Sequence, residues 1–105
     1  MTNYVFTYHG GAGMPETQEE QDKLMAAWGA WFEQMGDKVV DGGNPFTIHR
    51  TVAADGSVSD GGPAAELGGY SVITADSFDD AVTIAKGCPV LEGGGQVQVS
   101  ETIEM

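Results

Sequence analysis

The sequence predicts an α+β fold in the order β-α-β-β-α-β with one extra hairpin, and three observations predict it. Segments of period two open and close the chain. Two segments of helical period each begin with a hydroxyl three residues before an acid. Glycine pairs and Gly-Pro clusters separate most segments from the next. This order is the ferredoxin-like split pattern.

Residues 3–9 are aromatic and β-branched and stop at Gly10-Gly11, as a strand closed by a glycine turn does. Tyr4, Phe6 and Tyr8 share one face, and Val5, Thr7 and His9 the other; both are largely apolar, which suits an interior strand covered on both sides. Thr17 and Glu20 fit a capping box, and the helix they open runs to about Met35. Its stripe is Leu24, Ala27, Trp28, Trp31, Phe32 and Met35, ended by Gly36. Burying the two Trp, the Phe, the Leu and the Met contributes on the order of 10 kcal/mol before entropy is subtracted.

Residues 38–41 resume strand character, and Gly42-Gly43-Asn44-Pro45 breaks it. Residues 46–52 are strand-like, and with turns at 54–57 and 60–63 they predict a hairpin over 46–59. Residues 69–75 form a strand. Ser77 and Asp80 cap a second helix with Phe78, Ala81, Val82 and Ala85 on one face, stopped by Gly87 and Pro89. The last strand runs from Gln96 to Met105, with Glu101 the polar exception on its apolar side.

A length of 105 residues suits one domain, residues 1–105, and 41% hydrophobic residues suffice for a core. Sixteen acids against four bases give a charge of −12, which repels phosphate backbones and anionic lipid, so neither nucleic acid nor a membrane surface is expected as a partner. The first residues carry no basic run and no apolar stretch of signal length, so a cytoplasmic location is expected. The single Cys88 is expected to be an inert, partly buried thiol at a helix end. A sheet with helices on one face leaves the other bare, and the natural cover is a second copy in a twofold homodimer.

Few residues carry chemistry. His9, at the carboxyl end of the first strand beside Gly10-Gly11, suits a general acid or base at a cleft mouth, or a hydrogen-bonded loop residue. Asp41, ending its strand before a double glycine, suits a carboxylate that orients an imidazole, or an Asx turn. His49 and Arg50 stand together on the hairpin, where they suit a clamp for an anionic group or a surface ion pair. Trp28 and Asp60 complete the candidates, as a pocket wall or a core residue and as a pocket carboxylate. His9, His49, Asp41 and Asp60 have no metal-ligand spacing, and Gly93-Gly94-Gly95 lacks the Lys and following helix of a phosphate loop, so no metal and no cofactor are expected.

The run Asp60-Gly61-Gly62-Pro63, then Glu66-Leu67-Gly68-Gly69-Tyr70-Ser71-Val72-Ile73, Ser77-Phe78-Asp79-Asp80-Ala81, Cys88-Pro89 and Gly93-Gly94-Gly95-Gln96-Val97-Gln98-Val99, resembles the YCII-related proteins, especially their DGPF subgroup. The likeness extends to the tryptophan-bearing first helix and to Val39-Val40-Asp41-Gly42-Gly43. The resemblance implies a dimeric α/β barrel with a pocket between sheet and helix in each subunit. In some relatives it implies a His and Asp pair, and in one branch elimination chemistry on chlorinated aromatic compounds. This sequence departs from the pattern in having no histidine on its first helix and in altering Asp-Gly-Pro-Phe to Asp60-Gly61-Gly62-Pro63. Two functions are expected from these readings: binding or acid–base turnover of a small organic molecule, or a non-catalytic dimerisation or accessory module that meets a protein partner.

Overall fold

The computed structural model describes residues 2–10, 15–62 and 66–103. Its elements are β1 (Thr2–His9), α1 (Gln18–Met35), β2 (Val39–Asp41), β3 (Arg50–Val52), β4 (Val58–Asp60), β5 (Leu67–Ala75), α2 (Phe78–Ala85) and β6 (Gln96–Glu101). Short 3-10 turns follow α1 at Gly36–Lys38 and α2 at Pro89–Gly93. Strands β2, β5, β1 and β6 lie side by side in that order in one antiparallel sheet, and β3 pairs with β4 in a separate ribbon.

Both helices start where their hydroxyls predict. Thr17 Oγ1 accepts the Glu20 N–H at 3.2 Å, and Ser77 Oγ accepts the Asp80 N–H at 3.1 Å, each satisfying an amide that the first turn leaves free. α1 stops at Gly36, whose φ of 53° favours glycine and whose N–H donates to the Phe32 carbonyl.

Tyr4, Phe6 and Tyr8 of β1 and Ser71, Ile73 and Ala75 of β5 are buried, and the apolar ones form one core with Trp31 and Met35 of α1 and Ala81 and Ala85 of α2. Phe6 and Trp31 stack with ring centroids 5.9 Å apart. The Trp31 Nε1–H donates to the Ile84 carbonyl at 3.0 Å, linking the two helices. Each helix joins two parallel strands across an intervening antiparallel one, β1 to β2 across β5 and β5 to β6 across β1. Right-handed crossovers running in opposite senses from oppositely directed strands land on the same face.

That geometry corrects one expectation. β1 is interior within the sheet, but the helices cover only one of its faces; Val5, Thr7, His9, Val72, Gln98 and Ser100 lie on the other. The smallest extent of the molecule, 19 Å, is that of one sheet and one helix layer.

Two boundaries also differ. The strand predicted over 46–52 starts at Arg50, because Pro45 bridges to Gly69 and Phe46 donates its N–H to the Gly68 carbonyl at 2.9 Å, hooking this stretch onto β5 before the ribbon departs. The last strand ends at Glu101, where Thr102 turns to give both its N–H and its hydroxyl to the Asn3 carbonyl at 3.0 and 2.8 Å. Met105, like Gly11 and Pro63, lies outside the described residues. Of the predicted α1 stripe, Trp31 and Met35 are buried; Leu24, Ala27, Trp28 and Phe32 are half-buried.

Candidate functional site

α1 and the turn Pro89–Gly93 frame a groove of about 600 Å³, within the size range of small-molecule sites. Leu24, Ala27 and Trp28 form one wall at helical spacing, Pro89 and Val90 form the other, and Gly10 and Pro15 also line it. Its ionisable lining residues are Glu20, Lys23 and Glu92. Lys23 also pairs with Glu19 at 3.7 Å, an exposed i,i+4 contact worth little. A smaller cavity of about 220 Å³ between Trp31 and Ile84 is below the usual ligand size.

Trp28 is held for this position by its neighbours. Its ring meets Tyr8 edge-on at 5.0 Å and lies nearly parallel to Phe32 at 6.1 Å, so the indole is braced from the sheet and from its own helix. Behind it, the Tyr8 hydroxyl donates to Ser71 Oγ at 2.7 Å, and Ser71 Oγ donates to the Gly42 carbonyl at 2.7 Å. Burial pushes the Tyr8 phenol up to about 12 and the Cys88 thiol up to about 11, so both are neutral under ordinary conditions. Cys88 is buried just after α2, as an inert thiol would be.

The other predicted site residues lie elsewhere. His9 shares the helix-free face with Thr7, whose Oγ1 is 2.8 Å from His9 Nε2, so its ring and the groove are on opposite sides of β1. The Asp41 carboxylate accepts the Gly43 N–H at 2.8 Å, forming an Asx turn. His49 packs edge-on against Phe46 at 5.8 Å, and Phe46 in turn stacks on Tyr70 at 5.7 Å. Arg50 and Asp60 face each other across the ribbon with Nε and Oδ1 3.5 Å apart, largely exposed. Among the described residues, each of the three acid–base candidates has its contact with a different neighbour: His9 with Thr7, Asp41 with Gly43, His49 with Phe46. No group of three His, Cys, Asp or Glu side chains among the described residues gathers as a metal site would.

Of the candidates, then, Trp28 alone lines the groove. Sequence reasoning missed the walls around it, although Glu20, Leu24, Ala27 and Trp28 recur at three-and-four spacing along one helix edge. Pro89 and Val90 carried no such signal, because their side of the groove is set by the turn after α2.

No described helix is long and apolar enough to cross a membrane. The fold is similar to that of the solved 5-chloro-2-hydroxyhydroquinone dehydrochlorinase (TftG) from Burkholderia phenoliruptrix AC1100, in complex with 2,5-dihydroxybenzoquinone. The likeness covers 98% of this chain and 95% of that one, with a TM-score of 0.59 and 16% identity. No curated protein matches the sequence. The YCII-related domain matches residues 5–104, so the chain belongs to the YCII-related family.

Proposed function

We propose that this chain is a homodimeric, ferredoxin-like member of the family, one domain that binds a small, flat organic molecule in the groove beside Trp28. The observation that carries the reading is the groove itself: apolar walls of Leu24, Ala27, Trp28, Pro89 and Val90, with one cation and two carboxylates also in the lining. An aromatic and aliphatic lining suits a flat ring. Two carboxylates against one lysine, in a chain of −12, favour an uncharged or cationic ring over an anionic one. The structural neighbour's complex with 2,5-dihydroxybenzoquinone, a small ring compound, supports the size class.

The strand order β2-β5-β1-β6 supports the ferredoxin-like assignment, and the motif order around residues 60–99 supports the DGPF subgroup. The homodimer rests on the helix-free face, where aliphatic and uncharged polar side chains surround a single strand acid, Asp41, in an otherwise acidic chain. Turnover is a separate form of the proposal, with proton transfer assigned to His9 and His49 and the orienting carboxylate to Asp41, acting on a compound at the helix-free side of the sheet; it requires a second copy to bring together groups that one chain leaves apart.

Thermal shift with three matched compounds tests the binding claim: indole, tryptamine and indole-3-carboxylate. Indole and tryptamine should raise the melting temperature with dose through mass action, the carboxylate should not, and Trp28→Ala should remove the effect. No shift with any compound at millimolar concentration, or a shift that survives Trp28→Ala, overturns it. For turnover, His9→Ala, His49→Ala and Asp41→Asn should each abolish conversion of a compound while leaving the binding of indole in the groove intact; unchanged conversion removes the acid–base assignment.

A further inference from the structure

The ribbon of β3 and β4 is built as an arm. Its register pairs Arg50 with Asp60 and Val52 with Val58, so an ion pair and an aliphatic pair share one face. Val52 and Val58 are 68% and 62% exposed, and Ile48 at the base is 79% exposed. The root is fixed: Gly61 donates its N–H to the His49 carbonyl at 2.9 Å, Thr51 Oγ1 donates to the Gly61 carbonyl at 2.7 Å, and Phe46 stacks on Tyr70. A two-stranded ribbon of three-residue strands is marginal in water by itself, and this one holds large aliphatics outward. The Cα radius of gyration is 15.2 Å, beyond the roughly 13 Å of a compact chain this long.

Charge and area select the occupant. Two chains of −12 repel wherever their acids face each other, so they meet on faces poor in free acid. On the arm face Asp60 closes on Arg50, and the adjoining helix-free side of the sheet, reached through Phe46 and Tyr70, carries one strand acid among the described residues, Asp41, which accepts the Gly43 N–H. Four strands about 4.8 Å apart and about 20 Å long present a face of about 400 Å², half of the roughly 800 Å² per partner in a stable complex. The aliphatic side of the arm supplies further area.

We propose that the β3–β4 arm packs its Ile48, Val52 and Val58 side onto a second copy of this chain, a role that rests on the homodimer reading above. Sedimentation velocity across a micromolar series tests it, comparing the natural chain with Val52→Asp/Val58→Asp and with Ala26→Asp/Ala30→Asp, which adds the same charge on exposed positions of α1. The arm variant should dissociate at least tenfold more readily than the natural dimer and the α1 variant should not. A natural chain that is monomeric throughout overturns the homodimer and the arm together. A natural dimer whose affinity is equal in both variants, or lowered equally, overturns the arm alone. If the aspartate variant lacks a cooperative melt, Val52→Thr/Val58→Thr is read by the same criterion.

Discussion

The Tyr8 hydroxyl donates to Ser71 Oγ at 2.7 Å, and the Ser71 hydroxyl donates in turn to the Gly42 carbonyl, so one chain of hydrogen bonds, buried at Tyr8 and Ser71, joins β1, β5 and the loop after β2. Every polar group in it is satisfied, and among the described residues no buried side-chain nitrogen or oxygen lacks a partner.

That burial sets an alkaline limit. The Tyr8 phenol is pushed from 10.0 up to about 12, so the unfolded chain loses this proton first and stability falls as pH rises through that interval, with the full contribution present below pH 10. About 2–3 kcal/mol is expected to disappear by pH 12. Tyr8→Phe removes this titration, so chemical denaturation of the two proteins between pH 9 and 12 should show the natural chain losing stability more steeply. Cys88 titrates in both and cancels; parallel slopes would contradict the assignment.

The two tryptophans of α1 divide their roles. Trp31 is buried and bonded to Ile84, so Trp31→Ala should cost about 3–5 kcal/mol. Trp28 is half-buried on the groove, and Trp28→Ala should cost about 1–2 kcal/mol. Urea denaturation checks both; equal losses would place Trp28 in the core rather than in a site.

Asp41 is separable from its own turn. Asn keeps an oxygen for the Gly43 N–H, so Asp41→Asn should leave the melting temperature within about 2 °C, a shift equivalent to under about 0.5 kcal/mol. Gly43→Ala is expected to cost at least about 2 kcal/mol, because φ is +76° there and a Cβ would collide with the Tyr70 carbonyl oxygen. Scanning calorimetry of both variants checks this pair, and a tolerated Gly43→Ala would refute the close approach.

The fold was largely legible because its signals are local. The caps at Thr17 and Ser77, the alternation in residues 3–9 and 96–101, and the helical stripe through Trp31 each depend on neighbours in sequence. The arm was legible as a hairpin, but its start at Arg50 was not, since the hook of Pro45 and Phe46 onto β5 is a contact over more than twenty residues. The groove was legible only at Trp28. Alternation already placed His9 opposite Tyr8, yet only the common landing face of both helices puts the groove on the Tyr8 side. Arg50 and Asp60 looked like pocket residues from their types, and their register across the ribbon brings them to each other instead.

The most direct measurement is a ¹H–¹⁵N correlation spectrum of the two indole N–H groups during titration with indole. The Trp28 resonance should move with saturation, while that of Trp31, bonded to the Ile84 carbonyl, should move far less. A titration that leaves Trp28 in place while the ring signals of His9 and His49 shift would put the ligand on the helix-free side and contradict the groove.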